Sequence, residues 1–325
     1  MGAASKRLTL AGAGFLAGQG PIVYHWPRPV QSCDRHLNRE RTMAGNPLFQ
    51  RLQLLTGAPA IELLGRSRAI VFGLGGVGSW AAEALVRSGV GHLTLVDNDV
   101  VCITNVNRQL QATTRNVGKG KADELKARLV TLNPRCRIEA VQKVYEPAAA
   151  DEFDLGSYDY VLDCIDSITN KVDLIVRTCA SGATLFSSMG AASKLDPTQI
   201  KVASVWETTG CPLARIIRQK LRSAGFAGDF LTVFSPEVLP PVESTSVACG
   251  THQCFCPSFT PDDGSEHKDW CSTKKIINGS AVHITAVFGM MLAGLVVQDA
   301  VRRAPAEAAG VAEAPAGDGG LQTLE

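Results

Sequence analysis

Three things are scarce in this chain of 325 residues: net charge, unbroken apolar length and paired cysteines. Its 32 lysines and arginines stand against 31 acids, leaving a net charge of +1. That excludes a global field for a polyanion, so any nucleic-acid site has to be a local basic patch. The stretch that most suggests a membrane, "AVHITAVFGMMLAGLVV" (Ala281–Val297), has 17 residues. A bilayer span takes about 20. The stretch is isolated and followed by Arg302 and Arg303, so it reads as a buried core or dimer helix, and no membrane insertion is expected. Ten cysteines at uneven spacings do not form a disulfide framework, which fits a reduced cytosol and a cytoplasmic protein. No internal repeat is present. What the chain does have is 45% hydrophobic and 19% charged residues, enough for a sizeable core in one large α/β domain or two small ones.

The ends read as lying outside the fold. Residues 1–42 carry Lys6, Arg7, Arg28, Arg35, Arg39 and Arg41, no acid before Asp34, and a short apolar patch, "LTLAGAGFLAG". They are expected to be a disordered extension, or residues upstream of a start at Met43. A transit-type or secretory leader is the alternative. Residues 304–325, beginning "APAEAAGVAEAPAGDGG", are low in complexity and expected to be disordered. The domain between is residues 43–303. Its nucleotide-binding part is about 66–190 and its substrate or dimer part about 191–303.

Strand and helix patterns alternate through the first half. "RAIVFGL" (Arg68–Leu74), "HLTLVDND" (His92–Asp99), "RCRIEAVQKVY" (Arg135–Tyr145), "YDYVLDCID" (Tyr158–Asp166) and "ATLFSSMG" (Ala183–Gly190) read as strands. Helices are expected after the glycine turn, with Ser79 as a cap, and over Val117–Pro134 and Ser167–Gly182. Such alternation predicts an α/β fold, a Rossmann-like, doubly wound and mainly parallel sheet. The second half differs. "QIKVASVWETT" and "DFLTVFS" are strand-like, a basic helix runs from about Pro212 to Gly225, and residues 236–278 form a long loop rich in Pro, Cys, Asp and Gly.

Gly73-Leu-Gly75-Gly76-Val-Gly78 is a GxGxxG between a strand and a helix. Glycines there permit a tight turn and close backbone approach to phosphate, and the helix N-terminus favours anions. Asp97 lies 19 residues beyond Gly78, where a ribose-binding acid is expected. The motif points to an adenine nucleotide without separating NAD from ATP. The segment "DNDVVCITNVNRQ" (Asp97–Gln109) holds Asn105, Asn107, Arg108 and Gln109 within five positions. A hydride-transfer enzyme has no use for that cluster. An enzyme in which a carboxylate attacks the α-phosphate of ATP needs fixed cations, polar donors and a magnesium ion. Each well-placed donor is worth roughly 3 kcal/mol. Arg108 and Asn105 could supply two, Lys121 a third, and Asp166 could hold Mg²⁺. In isolation each has a plainer reading: a loop-surface charge for Arg108, a helix-face lysine for Lys119 and Lys121, and a helix cap for Asp166.

The order GxGGVGS, DxD, NxNRQ, GKGK and DxxDS resembles the ThiF/MoeB-type adenylating superfamily, which includes ubiquitin-activating enzymes. Within it, "GVGSWAAEALVRSGVG", "TNVNRQ", "DCIDSITNK" and "LDPTQIKV" look most like the tRNA threonylcarbamoyladenosine dehydratases, over about Leu48 to Val301. The resemblance implies a homodimer that uses ATP and Mg²⁺ to activate the carboxylate of threonylcarbamoyladenosine in tRNA. The activated side chain then closes into a ring with net loss of water. By position, the resemblance implies that Gly73, Gly75, Gly76 and Gly78 form the phosphate loop. Asp97 and Asp99 match the acid pair at the ribose, and Asn105, Arg108 and Lys121 the phosphate-contacting set. Asp166 matches the metal-linked acid, and Arg51 an arginine that reaches ATP across the dimer interface. Many relatives carry Arg-Phe before that arginine, where this chain has Leu48-Phe49. Ring closure is intramolecular, so proximity replaces much of the catalytic machinery and no enzyme nucleophile is required.

Cys249, Cys254, Cys256 and Cys271 are spaced C-x4-C-x-C-x14-C, with His252 among them. That is not the paired CxxC of the superfamily's zinc-bearing members, so zinc is not expected, and a thioester-forming thiol is unnecessary. Cys102, Cys164 and Cys179 read as packing residues. For tRNA, Arg215, Arg218 and Arg222 share a helix face by i, i+3, i+7 spacing. Lys220, Lys274 and Lys275 add charge; a solvated face is the plainer alternative. A partner from a cysteine-desulfurase system is left open. The alternative activity is an adenylyltransferase for the C-terminus of a ubiquitin-like or sulfur-carrier protein. An NAD-dependent oxidoreductase would leave the Asn-Arg-Lys-Asp set idle, and a non-catalytic scaffold would not need every phosphate-handling position filled.

Overall fold

The computed structural model describes residues 43–240 and 278–305. Two short helices, α1 (Gln50–Thr56) and α2 (Ala58–Arg66), are separated at Gly57, whose φ of 82° breaks the helical path. There follow β1 (Arg68–Phe72), α3 (Gly78–Arg87), β2 (His92–Val96), α4 (Lys121–Leu129) and β3 (Arg137–Val141). Next come β4 (Tyr160–Asp163), α5 (Ile168–Ser181), β5 (Thr184–Ser188), β6 (Lys201–Ser204), α6 (Pro212–Ser223), β7 (Leu231–Phe234) and α7 (Val282–Arg303).

The strands form one sheet in the order β3-β2-β1-β4-β5-β7-β6. Every pairing is parallel except β6 with β7. The expected doubly wound sheet is therefore present, with an antiparallel edge added by the second half. Apolar layers cover both faces. On one, Val71, Leu93 and Leu95 meet Ile61, Leu64, Leu85, Leu125, Phe288 and Leu292 from α2, α3, α4 and α7. On the other, Ile70, Phe72 and Val161 meet Leu174, Ile175, Ile217 and Leu221 from α5 and α6. Phe72 takes Tyr145 and Phe153 edge-on, each with ring centroids 5.1 Å away. The chain leaves β1 toward β2 on one side and returns through β4 on the other. The carboxyl ends of β1, β2 and β4 thus open on one crevice, where an α/β sheet binds ligands.

Among the described residues, α7 is the one helix apolar and long enough to cross a membrane. It is instead a core element, burying Ile284, Phe288, Leu292 and Val296. Gly289 lets it approach the first turn of α3: a Cβ there would stand 2.5 Å from the Val77 carbonyl oxygen and 2.8 Å from the Ala81 nitrogen.

Three local expectations are revised. The strand ending in "VLDCID" stops at Asp163, so Asp166 lies in the following turn. The helix expected from Val117 begins at Lys121. Before it, Gly118 has a φ of 87°, and residues 118–121 bond along 99–101 instead of coiling. Ser79 does not cap α3. Its hydroxyl donates to the Gly75 carbonyl (2.7 Å) and accepts from the Leu110 N–H (3.2 Å), tying the glycine turn to the segment after Arg108.

Candidate active site

Between β1 and α3 the glycine turn is built from positions that reject a side chain. Gly73 has a φ of 85°, and a Cβ on it would sit 2.8 Å from the Cys164 carbonyl oxygen. A Cβ on Gly78 would fall 1.9 Å from the Gly73 carbonyl oxygen. Gly76 lies against Thr285 of α7, at 3.1 Å from its would-be Cβ. Gly75 differs, because the nearest atom to its would-be Cβ is Gln109 Nε2 at 3.9 Å. The turn is therefore packed beneath and open above Gly75, the geometry that lets a phosphate approach backbone N–H groups.

Leu74, between the first two glycines, is gripped at both ends of its backbone. Its N–H donates to Asp97 Oδ2 (2.6 Å), and its carbonyl accepts from Gln111 Nε2 (2.9 Å). Asp97 Oδ1 accepts the Asp99 N–H (2.8 Å). Burial pushes the Asp97 carboxyl above its usual range and neighbouring Asp99 adds to the rise, while Lys121 and the two N–H bonds oppose it. Asp97 is thus the acid at the end of β2 that the sequence indicated, and it also braces the glycine turn. Asp99 pairs with Lys121, whose buried ammonium lies 2.6 Å from Asp99 Oδ2.

The Asn-Arg segment stands on the same side. Asn105 is buried, its Oδ1 accepting the Cys102 N–H (3.0 Å), and its Nδ2 has no partner among the described residues. Arg108 donates to the Thr104 carbonyl (2.8 Å) and to Asn107 Oδ1 (3.0 Å), both neutral. Among the described residues no carboxylate pairs with it. Burial draws its pKa down from the ordinary arginine value, although a guanidinium this basic stays charged. Trp80 Nε1 holds the Arg108 carbonyl at 3.0 Å, fixing the backbone that carries this cation. A half-buried cation with no carboxylate partner among the described residues, on a segment tied to the open glycine turn, can accept an anionic ligand.

Asp166 is exposed in the turn between β4 and α5. Arg51, on α1, is exposed too, beside Leu54 and Leu55 at 85% and 82% exposure. Of the basic face on α6, Arg215 and Arg222 are exposed, while Arg218 turns inward to Thr208, donating to its carbonyl at 2.7 Å and to its hydroxyl. Arg222 stacks over Trp206 at 5.3 Å. Lys274, Lys275, Cys249, Cys254, Cys256, Cys271 and His252 lie outside the described residues. Of the cysteines expected to pack, Cys164 lies beneath the turn with burial raising its thiol pKa far above the usual value; Cys179 is also raised by burial, to about 11.

Sequence reasoning missed the fully buried pair Asp163–Lys171 (2.8 Å) and the Gln111 brace. Lys171 stood inside the quoted "DCIDSITNK" segment, and a lysine placed on the inner face of a helix was the available signal.

The family model described as the ThiF family matches residues 49–310. The chain belongs to the ThiF family. Among ThiF proteins it is 43% identical over 189 residues to the tRNA threonylcarbamoyladenosine dehydratase of Bacillus subtilis, covering 58% of this chain and 74% of that one. The enzyme of the same name from Escherichia coli is 35% identical over 263 residues, covering 78% of this chain and 92% of that one. A solved structure of the E. coli tRNA N6-threonylcarbamoyladenosine dehydratase in complex with ATP aligns with a TM-score of 0.63 at 33% identity. That alignment covers 78% of this chain and 93% of the other. The mostly parallel seven-stranded sheet is therefore the ThiF-type Rossmann fold.

Proposed function

We propose that this ThiF protein is an ATP-dependent tRNA threonylcarbamoyladenosine dehydratase. It would adenylate the carboxylate of the modified base and promote its cyclisation. The observation that carries the reading is Arg108, a half-buried cation without a carboxylate partner among the described residues, on the segment tied through Leu110 and Ser79 to a glycine turn left open at Gly75. A nicotinamide enzyme would have no use for that unneutralised charge. The relatives' name and the ATP complex support the same substrate and nucleotide.

In this reading the Gly75 edge and the α3 N-terminus take the phosphates, and Asp97 and Asp99 serve the ribose side. Arg108, Lys121 and the free Nδ2 of Asn105 stabilise charge growing on the α-phosphoryl oxygens as the substrate carboxylate attacks. Pyrophosphate leaves, and a nucleophile within the substrate closes the ring on the activated carbonyl, releasing AMP. The donor set fits Mg²⁺: the exposed Asp166 carboxylate would hold it with nucleotide phosphates, because Mg²⁺ uses one or two carboxylates plus phosphates and needs no protein cage. The described residues contain no cluster of three metal-binding side chains. When bound, the ion would neutralise phosphoryl charge.

A homodimer is part of the proposal. The exposed Leu48, Leu54 and Leu55 make an apolar patch around Arg51 that a second copy would cover, bringing Arg51 to the partner's nucleotide. Arg215 and Arg222 are the tRNA-facing cations of α6, and a cytoplasmic setting suits the unpaired cysteines.

The test is to incubate the protein with ATP, Mg²⁺ and tRNA from a strain lacking the activity, then weigh the digested nucleosides. Threonylcarbamoyladenosine should become lighter by one water. An unchanged nucleoside alongside adenylation of a carrier protein's C-terminus would refute the assignment.

A further inference from the structure

The least exposed ionic groups in the described chain take no part in that chemistry. Asp163, the last residue of β4, and Lys171, in the first turns of α5, are both 0% exposed. Asp163 Oδ2 lies 2.8 Å from Lys171 Nζ and accepts the Ser187 hydroxyl of β5 at 2.7 Å. Removing two charges from water is costly, and core packing alone does not require an ion pair.

The pair closes on a single residue. Asp163 Oδ1 accepts the Ile165 N–H (3.2 Å), and Lys171 Nζ donates to the Ile165 carbonyl (3.1 Å). Both peptide groups flanking Ile165 are thereby held. In a trans peptide the carbonyl and the following N–H point in opposite directions. Fixing the Ile165 carbonyl therefore fixes the plane of the 165–166 peptide, and with it the Asp166 N–H and the position of the Cα that bears the carboxylate side chain. The turn is also tied to the glycine loop: the Cys164 N–H donates to the Phe72 carbonyl (2.9 Å), and the Cys164 carbonyl occupies the space a Cβ on Gly73 would need.

We infer that Asp163 and Lys171, seated by Ser187, are positioning residues that aim the Asp166 carboxylate at a metal ion on the nucleotide phosphates. The inference rests on the reading of Asp166 as the metal-linked acid. Groups behind a metal ligand commonly set its orientation, and losing them weakens metal affinity about 10- to 100-fold.

The test uses the full chain in four forms: wild type, the double variant Asp163→Asn/Lys171→Met, Asp166→Asn and Ser187→Ala. The double variant removes both charges at nearly constant volume and strands neither. Each is measured for thermal unfolding, for ATP affinity without divalent metal, and for Mn²⁺ affinity of the ATP complex by electron paramagnetic resonance. The double variant should unfold close to wild type, bind metal-free ATP within about twofold, and bind Mn²⁺ at least roughly tenfold more weakly, as should Asp166→Asn. Ser187→Ala should shift Mn²⁺ affinity the same way by about threefold, and it decides the matter if the double variant does not fold. Wild-type Mn²⁺ affinity in the folded double variant, or in Ser187→Ala where the double fails, with Asp166→Asn impaired, overturns the positioning role alone. Wild-type Mn²⁺ affinity in Asp166→Asn removes the reading of Asp166, and the inference falls with it.

Discussion

Replacing Gly75 by alanine separates what the glycine turn needs in order to fold from what it needs in order to bind. Gly75 is not among the glycines with positive φ, and its would-be Cβ meets nothing closer than Gln109 Nε2 at 3.9 Å. Alanine therefore fits the free protein. By restricting the unfolded chain it should stabilise the fold by about 0.4–1 kcal/mol. The added methyl, however, occupies the open side where phosphate would approach. Forcing one methyl into a close-packed contact costs about 1–3 kcal/mol. At 1.4 kcal/mol per tenfold, ATP should bind roughly 5- to 150-fold more weakly. Gly78→Ala is the counterpart. Its Cβ would lie 1.9 Å from the Gly73 carbonyl oxygen, in a turn held by Gly73 N–H on Val96 (2.9 Å) and Leu74 N–H on Asp97 (2.6 Å). That variant should lose both stability and binding. Thermal unfolding and calorimetric ATP titration read the two effects separately. Wild-type ATP affinity in Gly75→Ala would refute the claim that phosphate lies over this turn.

Gly289→Ala would press a methyl to 2.5 Å from the Val77 carbonyl, costing about 1–3 kcal/mol. A melting temperature equal to wild type would contradict the α3–α7 contact. Asp97 has a folded pKa above its unfolded value, so the fold holds this proton more tightly than the unfolded chain does. Its contribution is complete below the unfolded pKa and is lost as pH rises through the folded one. The stability of wild type minus that of Asp97→Asn should therefore decline upward from about pH 4, and a rising difference in denaturant titrations would invert the assignment. Mixing Arg51→Ala with Arg108→Ala chains should restore about a quarter of wild-type turnover, because half the dimers then carry one intact site. No recovery on mixing would place Arg51 outside its partner's site.

The alternation of apolar strands with glycine- and serine-bounded helices was enough to read the parallel sheet, because each strand is short and sealed on both faces. The glycine turn, Asp97 and the Asn-Arg segment were legible for a similar reason: they lie close together along the chain. Less legible was anything decided across the sheet. The apolar pattern of β4 runs on through Cys164 and Ile165, so nothing in the letters marks the end of the strand at Asp163. The pairing of Asp163 with Lys171 depends on both side chains turning inward. Helical spacing put Arg218 on the basic face, yet its guanidinium reaches back to Thr208 in a loop whose position spacing does not reveal. Arg215 and Arg222 stayed outward because their positions flank the buried stripe of Ala214, Ile217 and Leu221.

Helix α7 has a consequence in time as well as space. Its Thr285 walls the glycine turn at Gly76, and its Gly289 seats it on α3, although both partners leave the ribosome long before it. Domains fold from the N-terminus during synthesis. A nascent chain thus carries every glycine of the turn while still lacking the wall beside it. The cradle is complete only once α7 has been made and has docked against the turn and α3.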